Sequence, residues 1–300
     1  MPKAWNEILI GFRGTLLTNE LLSRHTSLKV GGPADLYAIP TDLEDLLLLV
    51  RQLDAAMIPR LVIGGGYNLL VRDGGVRGAV ISLERLNRIE QHNSGCITAW
   101  AGVENLQVVR FGQQQGLGGI GFISGIPGTI GGAVRMNAGA YGNGLLDHAV
   151  SLTLLKNGAV HERQRGQFRY GYRRLELQPD EIILAVKLQL AAIDPAVTEE
   201  EIRRDLELRR CKHTVGFPSA GSFFKNPPGQ AAWKLIDAAG MRGHQVGGAQ
   251  MAELHSNFLV NRGGATAADC LTLAQQVKEA VLRSSGVLLE EEVRIVGVEK

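Results

Sequence analysis

Gly125-Ile126-Pro127-Gly128-Thr129-Ile130-Gly131-Gly132-Ala133-Val134 decides how this chain is read. Glycine at 38 of 300 residues is nearly double the usual roughly 7%, and the excess clusters around this stretch. Gly112, Gly116, Gly118, Gly119 and Gly121 precede it, and Gly139, Gly142 and Gly144 follow. No Asp or Glu occurs from Asn105 to Leu146, whereas Arg110 and Arg135 do. A backbone without Cβ atoms can bring N–H groups close to an anion, and missing carboxylates remove repulsion. Composition alone balances a phosphate cradle evenly against tight turns in a crowded β-structure. Gly116-Leu117-Gly118-Gly119-Ile120-Gly121 spells G-x-G-x-x-G, but Gln113 to Gln115 precede it and Gly125 and Pro127 interrupt any helix. A dinucleotide fingerprint also needs an acid about 20 positions on, and none occurs before Asp147. The Rossmann reading fails.

Moving outward, 300 residues at roughly 150 per domain imply about two domains with a sizeable core. A net charge of +2 gives no electrostatic case for nucleic acid. Cys96, Cys211 and Cys270 are scattered and form no C-x-x-C, so reduced thiols are expected and neither a disulfide framework nor a metal site. Met1 to Glu7 lacks a signal-peptide pattern, and runs such as Leu46 to Val50 are too short to span a membrane. A cytoplasmic protein is expected.

Thr41 and Glu44 predict a capping box for a helix running to Met57 before Pro59, followed by a strand Leu61 to Ile63 entering Gly64-Gly65-Gly66. Strands are expected at Ala79 to Leu83, Ile97 to Ala101 and Glu181 to Leu190, the last with one face much more buried than the other. Ser151 to Leu155 begins a hairpin turning at Asn157-Gly158. Asp194-Pro195 reads as a linker within Ala192 to Thr198, before a charged helix from Glu199 to Arg210. Thr266 and Asp269 open a helix with Leu271, Ala274, Val277, Val281 and Leu282 on one side, ended by Gly286, and Val293 to Val298 is the last strand. Strands and helices do not alternate strictly, which favours α+β.

Two glycine stretches together resemble known flavoproteins. Gly64-Gly65-Gly66-Tyr67-Asn68-Leu69-Leu70-Val71 resembles the first FAD loop of vanillyl-alcohol-oxidase-like proteins. Gly125 to Val134, followed by Met136 to Gly142, closely resembles the second FAD segment of the UDP-N-acetylenolpyruvoylglucosamine reductase family. The likeness includes His25-Thr26-Ser27, Val30 to Asp35, Tyr172-Arg173, Ser219 to Pro227, Gly247 to Gln250 and Glu292-Val293-Arg294, in family order over nearly the whole chain. Four places depart from the pattern: Tyr67 for the usual Ser, Gly121 for a common acid, His25 for Asn, and Arg174-Leu175 for an Asp or Asn followed by Ser. The chain resembles the shorter class of the family, without the substrate-lid insertions.

The resemblance implies a two-subdomain FAD-binding fold of the vanillyl-alcohol-oxidase/PCMH type, followed by an α+β substrate domain. FAD-binding subdomains are expected over residues 1–194, split near 75–80, with a substrate domain over 195–292 and a strand in 293–300 returning to the first. Noncovalent FAD is implied at Gly64, Gly65, Gly66, Tyr67, Asn68, Leu69, Ser124, Gly125, Pro127, Gly128, Thr129, Gly131, Gly132 and Ala133. The implied reaction is NADPH-driven reduction of an enolpyruvyl ether on a UDP-sugar, a step of peptidoglycan precursor synthesis. Ser222 matches the family's proton donor, Arg173 its carboxylate-binding arginine, and Glu292 the glutamate near the intermediate. Read alone, Ser222 is turn chemistry, Arg173 a solvated hairpin residue and Glu290 to Glu292 a strand edge. Tyr172, Lys212, Lys225, Asn226, Gln250 and His255 are the substrate candidates. The expected partners are the UDP-sugar and NADPH, with no nucleic acid or membrane, for a monomer. A flavin oxidase of the same fold is the alternative, although Gly64 to Leu70 offers no His or Cys to tether FAD. Retention of Arg173, Ser222 and Glu292 argues against an inert nucleotide-binding module.

Overall fold

The computed structural model describes residues 5–92, 95–140, 142–213 and 215–300, and only the backbone of Lys212 and His213. Tyr141 and the Lys212 side chain therefore lie outside the described residues. Two compact units emerge: Met1–Thr18, Leu36–Gly65 and Gly78–Glu207 form one, and Asn19–Asp35, Gly66–Arg77 and Leu208–Lys300 the other.

In the first unit, Ala159–Gln164, Ala149–Lys156, Ile182–Gln189, Cys96–Trp100 and Ile89–Gln91 form, in that spatial order, a five-stranded antiparallel sheet. The hairpin turns at Asn157 and Gly158, whose φ angles of 51° and 70° suit a two-residue primed turn closing Lys156 on Ala159. Ile182–Gln189 has neighbours on both sides, and Ile182 through Val186 are buried on both faces. The expected contrast between faces holds only at Lys187 and Gln189, because central position overrides the alternation.

The first main helix is Leu43–Ala55, and Asp42, not Thr41, caps it by accepting from the Asp45 N–H. Asp42 has an extended backbone, as an N-cap requires, while the Thr41 N–H donates to Asp45. Leu46, Leu49, Val50 and Leu53 face the core. The helix stops before Met57, which has φ 54° and is 90% exposed, so Met57 lies beyond the apolar stripe. Arg60–Ile63 then pairs in parallel with Ala79–Ser82 and delivers the chain to Gly64.

Asp194-Pro195 is a helix start, not a linker. Pro195 opens Pro195–His213, its missing N–H costing nothing there, and Asp194 Oδ1 accepts from the Ala196 N–H at 2.9 Å. The two units divide inside this helix, between Glu207 and Leu208.

The second unit packs Ala232–Ala238 and Ala267–Ser285 with a sheet of order Ser219–Ser222, Phe258–Asn261, Ala249–Met251, Gln245–Val246. Thr266 and Asp269 form the expected capping box, and Gly286 ends the long helix in the left-handed region at φ 72°. Its buried stripe is Cys270, Leu273, Ala274, Val277 and Val281. Ala274, Val277 and Val281 face the core as expected, whereas Leu282 is 45% exposed and Leu271 only partly buried, and Cys270 and Leu273 complete the stripe in their place. Burial, with Asp269 and Asp73 nearby, pushes the Cys270 thiol up to about 12, so it is inert at neutral pH. Arg294–Val296 pairs in parallel with Leu69–Val71.

The first four N–H groups of the long helix are all satisfied. Thr266 N donates to Asp269, Asp269 N to Thr266, and Ala267 N and Ala268 N to Asp73 at 2.8 and 2.9 Å. Asp73 thus fixes the turn after the first glycine loop to a helix 194 residues on. Asp73→Ala should cost about 1–2 kcal/mol of unfolding free energy in urea, with Asp73→Asn nearer wild type. An unchanged midpoint in the alanine variant would mean that the capping box alone holds this end.

Candidate active site

The first glycine loop leaves the strand Arg60–Ile63 and meets the second at once. A Cβ on Gly64 would stand 2.6 Å from Thr129 Oγ1, closer than real Cβ atoms come, and 3.8 Å from Gly132 N. Gly66 has φ 69°, and a Cβ there would collide with the His25 carbonyl. His25 therefore meets the loop through its backbone, while its ring lies 3.0 Å from Glu20 Oε1. The family departure at 25 leaves the backbone contact available to any residue.

The second segment is stapled from below. Asn105 donates its backbone N–H to Gly128 O and its side-chain Nδ2 to Ile126 O, each at 3.0 Å. Ile130 N and Gly131 N bond to Val103 O and Ala101 O, fixing the short helix Ile130–Arg135. Two hydroxyls in this segment, Ser124 Oγ and Thr129 Oγ1, are buried with no hydrogen-bond partner among the described residues. Among the described residues nothing lies within 4 Å of a Cβ built on Gly132. Orphaned buried hydroxyls beside an open glycine backbone fit a ligand that brings its own polar groups, as FAD does. Among the described residues no three His, Cys, Asp or Glu side chains gather as metal ligands.

The helix Pro195–His213 closes over the same segment. A Cβ on Gly121 would overlap the Glu201 carboxylate. Position 121, where the family commonly carries an acid, is thus closed to any side chain by Glu201. His148 lies 3.5 Å through Cε1 from a Cβ on Gly119, and burial lowers its pKa.

Arg173 occupies the turn of a hairpin pairing Tyr170-Gly171 with Arg174-Leu175, in the left-handed region at φ 53°. This backbone is unfavourable for a non-glycine residue. It is held because Asn137 Nδ2 donates to Gly171 O and Arg135 Nη1 to Leu175 O, both at 3.0 Å. Asn137 in turn accepts from the Leu146 N–H. The Arg173 Nη1 donates to Gly139 O at 3.0 Å, and the guanidinium lies 5.2 Å from the Tyr172 ring centre. The end of the second glycine segment therefore carries the hairpin. The departure at 174-175 is accommodated by burying Leu175 and pairing Arg174 with Glu176 at the surface.

In the second unit, Ser222 ends its strand opposite Phe258, and Phe223 O accepts the Glu292 N–H at 2.8 Å. Asn257 clamps the neighbouring backbone: Oδ1 accepts from Phe224 N at 3.0 Å and Nδ2 donates to Phe224 O at 2.8 Å. Asn68 of the first glycine loop donates Nδ2 to Glu292 O, and its own carbonyl accepts from Arg294 N. Ser222, Glu292 and Asn68 thus share one hydrogen-bonded framework. Lys225 lies beside them and pairs with Glu290 at 3.1 Å. Burial lowers the pKa of Arg209 while Tyr67 raises it; a guanidinium stays charged regardless.

Of the remaining candidates, Asn226, Gln250 and His255 are engaged in structure. Asn226 Oδ1 accepts from Ala232 N at the start of Ala232–Ala238, and Gln250 Nε2 donates to Gly243 O. The His255 ring packs on Phe258 at 4.5 Å. Tyr172 is 57% exposed. Asn105, Asn137 and Asn257, which organise these sites, were not singled out from sequence.

Residues 34–162 match the FAD binding domain family, and residues 213–296 match the C-terminal domain of UDP-N-acetylenolpyruvoylglucosamine reductase. Fold and matches together define a flavoprotein oxidoreductase: an FAD-binding domain followed by the C-terminal domain of that reductase, in a chain of mixed helix and strand. The UDP-N-acetylenolpyruvoylglucosamine reductase of Pelobacter propionicus is 65% identical over 290 residues, covering 97% of this chain and 98% of its own. That of Geotalea uraniireducens is 54% identical over 292 residues, covering 97% of each. The crystal structure of the reductase from Thermus caldophilus aligns with a TM-score of 0.79 at 32% identity, over 94% of this chain and 98% of that one. The chain belongs to the UDP-N-acetylenolpyruvoylglucosamine reductase family.

Gly132→Ala should separate folding from cofactor binding. A helical Gly→Ala change stabilises by about 0.5–1 kcal/mol, and the flavin-free protein has room for the methyl. Unfolding midpoint should rise slightly while fluorescence titration shows FAD bound at least tenfold more weakly. Unaltered FAD affinity would place the cofactor elsewhere.

Proposed function

We propose that this protein uses NADPH and FAD to reduce UDP-N-acetylglucosamine enolpyruvate to UDP-N-acetylmuramate, supplying peptidoglycan synthesis. Near-complete coverage by a 65% identical reductase is the observation that carries the reading. Bound FAD supplies the hydride transfer, from NADPH to the methylene carbon of the enolpyruvyl group.

Reduction at that carbon leaves an enolate beside the substrate carboxylate, and the protein must stabilise its charge and deliver a proton to carbon. Arg173 binds the carboxylate through its planar fork and steadies the enolate. Its turn, fastened through Asn137 and Gly139, supports that role by limiting where the guanidinium can go. Ser222 delivers the proton. A serine hydroxyl is a weak acid, so it needs the strongly basic enolate as acceptor, and Lys225 supplies positive charge nearby. Glu292 hydrogen-bonds the same intermediate; its backbone bond to Phe223 keeps it in step with Ser222.

FAD is held noncovalently through Gly64, Gly65, Gly66, Tyr67, Asn68, Leu69 and the segment Ser124 to Ala133. Lys212, Lys225 and Asn226 contact the UDP-sugar, with weaker contributions from Tyr172, Gln250 and His255. Residues 1–194 supply most of the FAD-binding region and 195–292 most of the substrate domain, with the helix Pro195–His213 also facing the second glycine segment. The reading includes a cytoplasmic monomer without nucleic-acid or membrane partners; no helix among the described residues is long and apolar enough to cross a membrane. A flavin oxidase is not favoured: the relatives are reductases, and the first loop lacks a tethering His or Cys.

Ser222→Ala should leave FAD bound and bleached by NADPH at the wild-type rate, while formation of UDP-N-acetylmuramate falls at least a thousandfold. Anaerobic stopped-flow absorbance reads both half-reactions. Full turnover in that variant would remove Ser222 from the mechanism.

A further inference from the structure

The helix Pro195–His213 is charged almost throughout, and its buried face is unusual. Thr198, Ile202 and Asp205 are 1%, 0% and 3% exposed, at the i, i+4, i+7 spacing of a core-facing stripe. Aspartate is rarely buried without full pairing. Among the described residues, Asp205 Oδ1 meets only the Nε of its neighbour Arg204 at 3.3 Å, and the buried Oδ2 has no partner. Leaving a buried carboxylate oxygen unsatisfied costs folding free energy.

Asp205 lies against the second glycine segment. A Cβ on Gly125 would stand 3.2 Å from Asp205 O and 3.6 Å from Asp205 Cβ. The residue before Gly125 is Ser124, whose buried Oγ also has no partner. Asp205, with its unsatisfied acceptor, and Ser124, with its unsatisfied hydroxyl, therefore both adjoin Gly125. A carboxylate is a poor neighbour for a pyrophosphate, so the missing partner is a hydrogen-bond donor. A hydroxyl satisfies both groups at once, donating to Asp205 Oδ2 and accepting from Ser124 Oγ.

We propose that Asp205 is a cofactor-binding residue that, with Ser124, holds a sugar hydroxyl of FAD, either on the ribityl chain or on the adenosine ribose. This rests on the flavoprotein reading above and adds a contact supplied from the Pro195–His213 helix. The arrangement trades stability of the flavin-free protein for affinity in the complex.

The test compares Asp205→Leu and Asp205→Asn with wild type, measuring melting temperature without flavin and FAD affinity by fluorescence titration of flavin-stripped protein. Asp205→Leu should melt at or above the wild-type temperature and bind FAD at least tenfold more weakly. Asp205→Asn, which keeps an acceptor without the charge, should lose severalfold. FMN carries the ribityl chain without the adenosine ribose. Weakened FMN binding in Asp205→Leu therefore assigns the ribityl hydroxyl, and FMN binding unchanged with FAD weakened assigns the ribose. FAD affinity within twofold of wild type in both variants overturns the proposal; should the leucine variant fail to fold, the same result in Asp205→Asn alone overturns it. Failure of wild type to bind FAD would instead sink the flavoprotein reading itself.

Discussion

The cofactor region depends on one close approach. The strand Arg60–Ile63 can bring Gly64 against Thr129 only because no Cβ stands between them. That contact fixes where the first loop leaves the sheet. The second segment is fixed from its other side by Asn105 and by the backbone bonds to Ala101 and Val103. Between these restraints the structure leaves hydroxyls unsatisfied and glycine backbone uncovered, a local sacrifice of stability of the kind found where a ligand completes the hydrogen bonding.

The same segment reaches the proposed chemistry through its far end. Asn137, Gly139 and Arg135 hold the hairpin that carries Arg173 in an unfavourable backbone conformation. In the second unit Asn257 performs a comparable service, locking Phe224 while Phe223 ties Ser222 to Glu292. Both sets of proposed catalytic groups are thus positioned by buried amide side chains bonded to backbone, an arrangement rigid enough to orient a weak acid or a flexible arginine.

Local signals in the sequence were legible where both partners lie within a few residues. Asn157-Gly158 specified its hairpin, and Thr266 with Asp269 specified a helix start. Asp42 takes the cap because its carboxylate, one residue beyond Thr41, accepts the Asp45 N–H. The linker reading failed because proline opens helices as readily as it interrupts them. Asn105, Asn137, Asp73 and Asn257 were invisible because their partners lie 21, 34, 194 and 33 residues away. The expectation that the glycine segments are flavin loops rests on their likeness to a family; their composition equally fits tight turns.

The most direct test of the account is the visible absorption spectrum of the purified protein, recorded without air before and after NADPH and then after UDP-N-acetylglucosamine enolpyruvate. The account predicts a flavin spectrum that NADPH bleaches and the enolpyruvyl substrate restores. A colourless protein that takes up no added FAD, or a bleached flavin that the substrate fails to reoxidise, would contradict it.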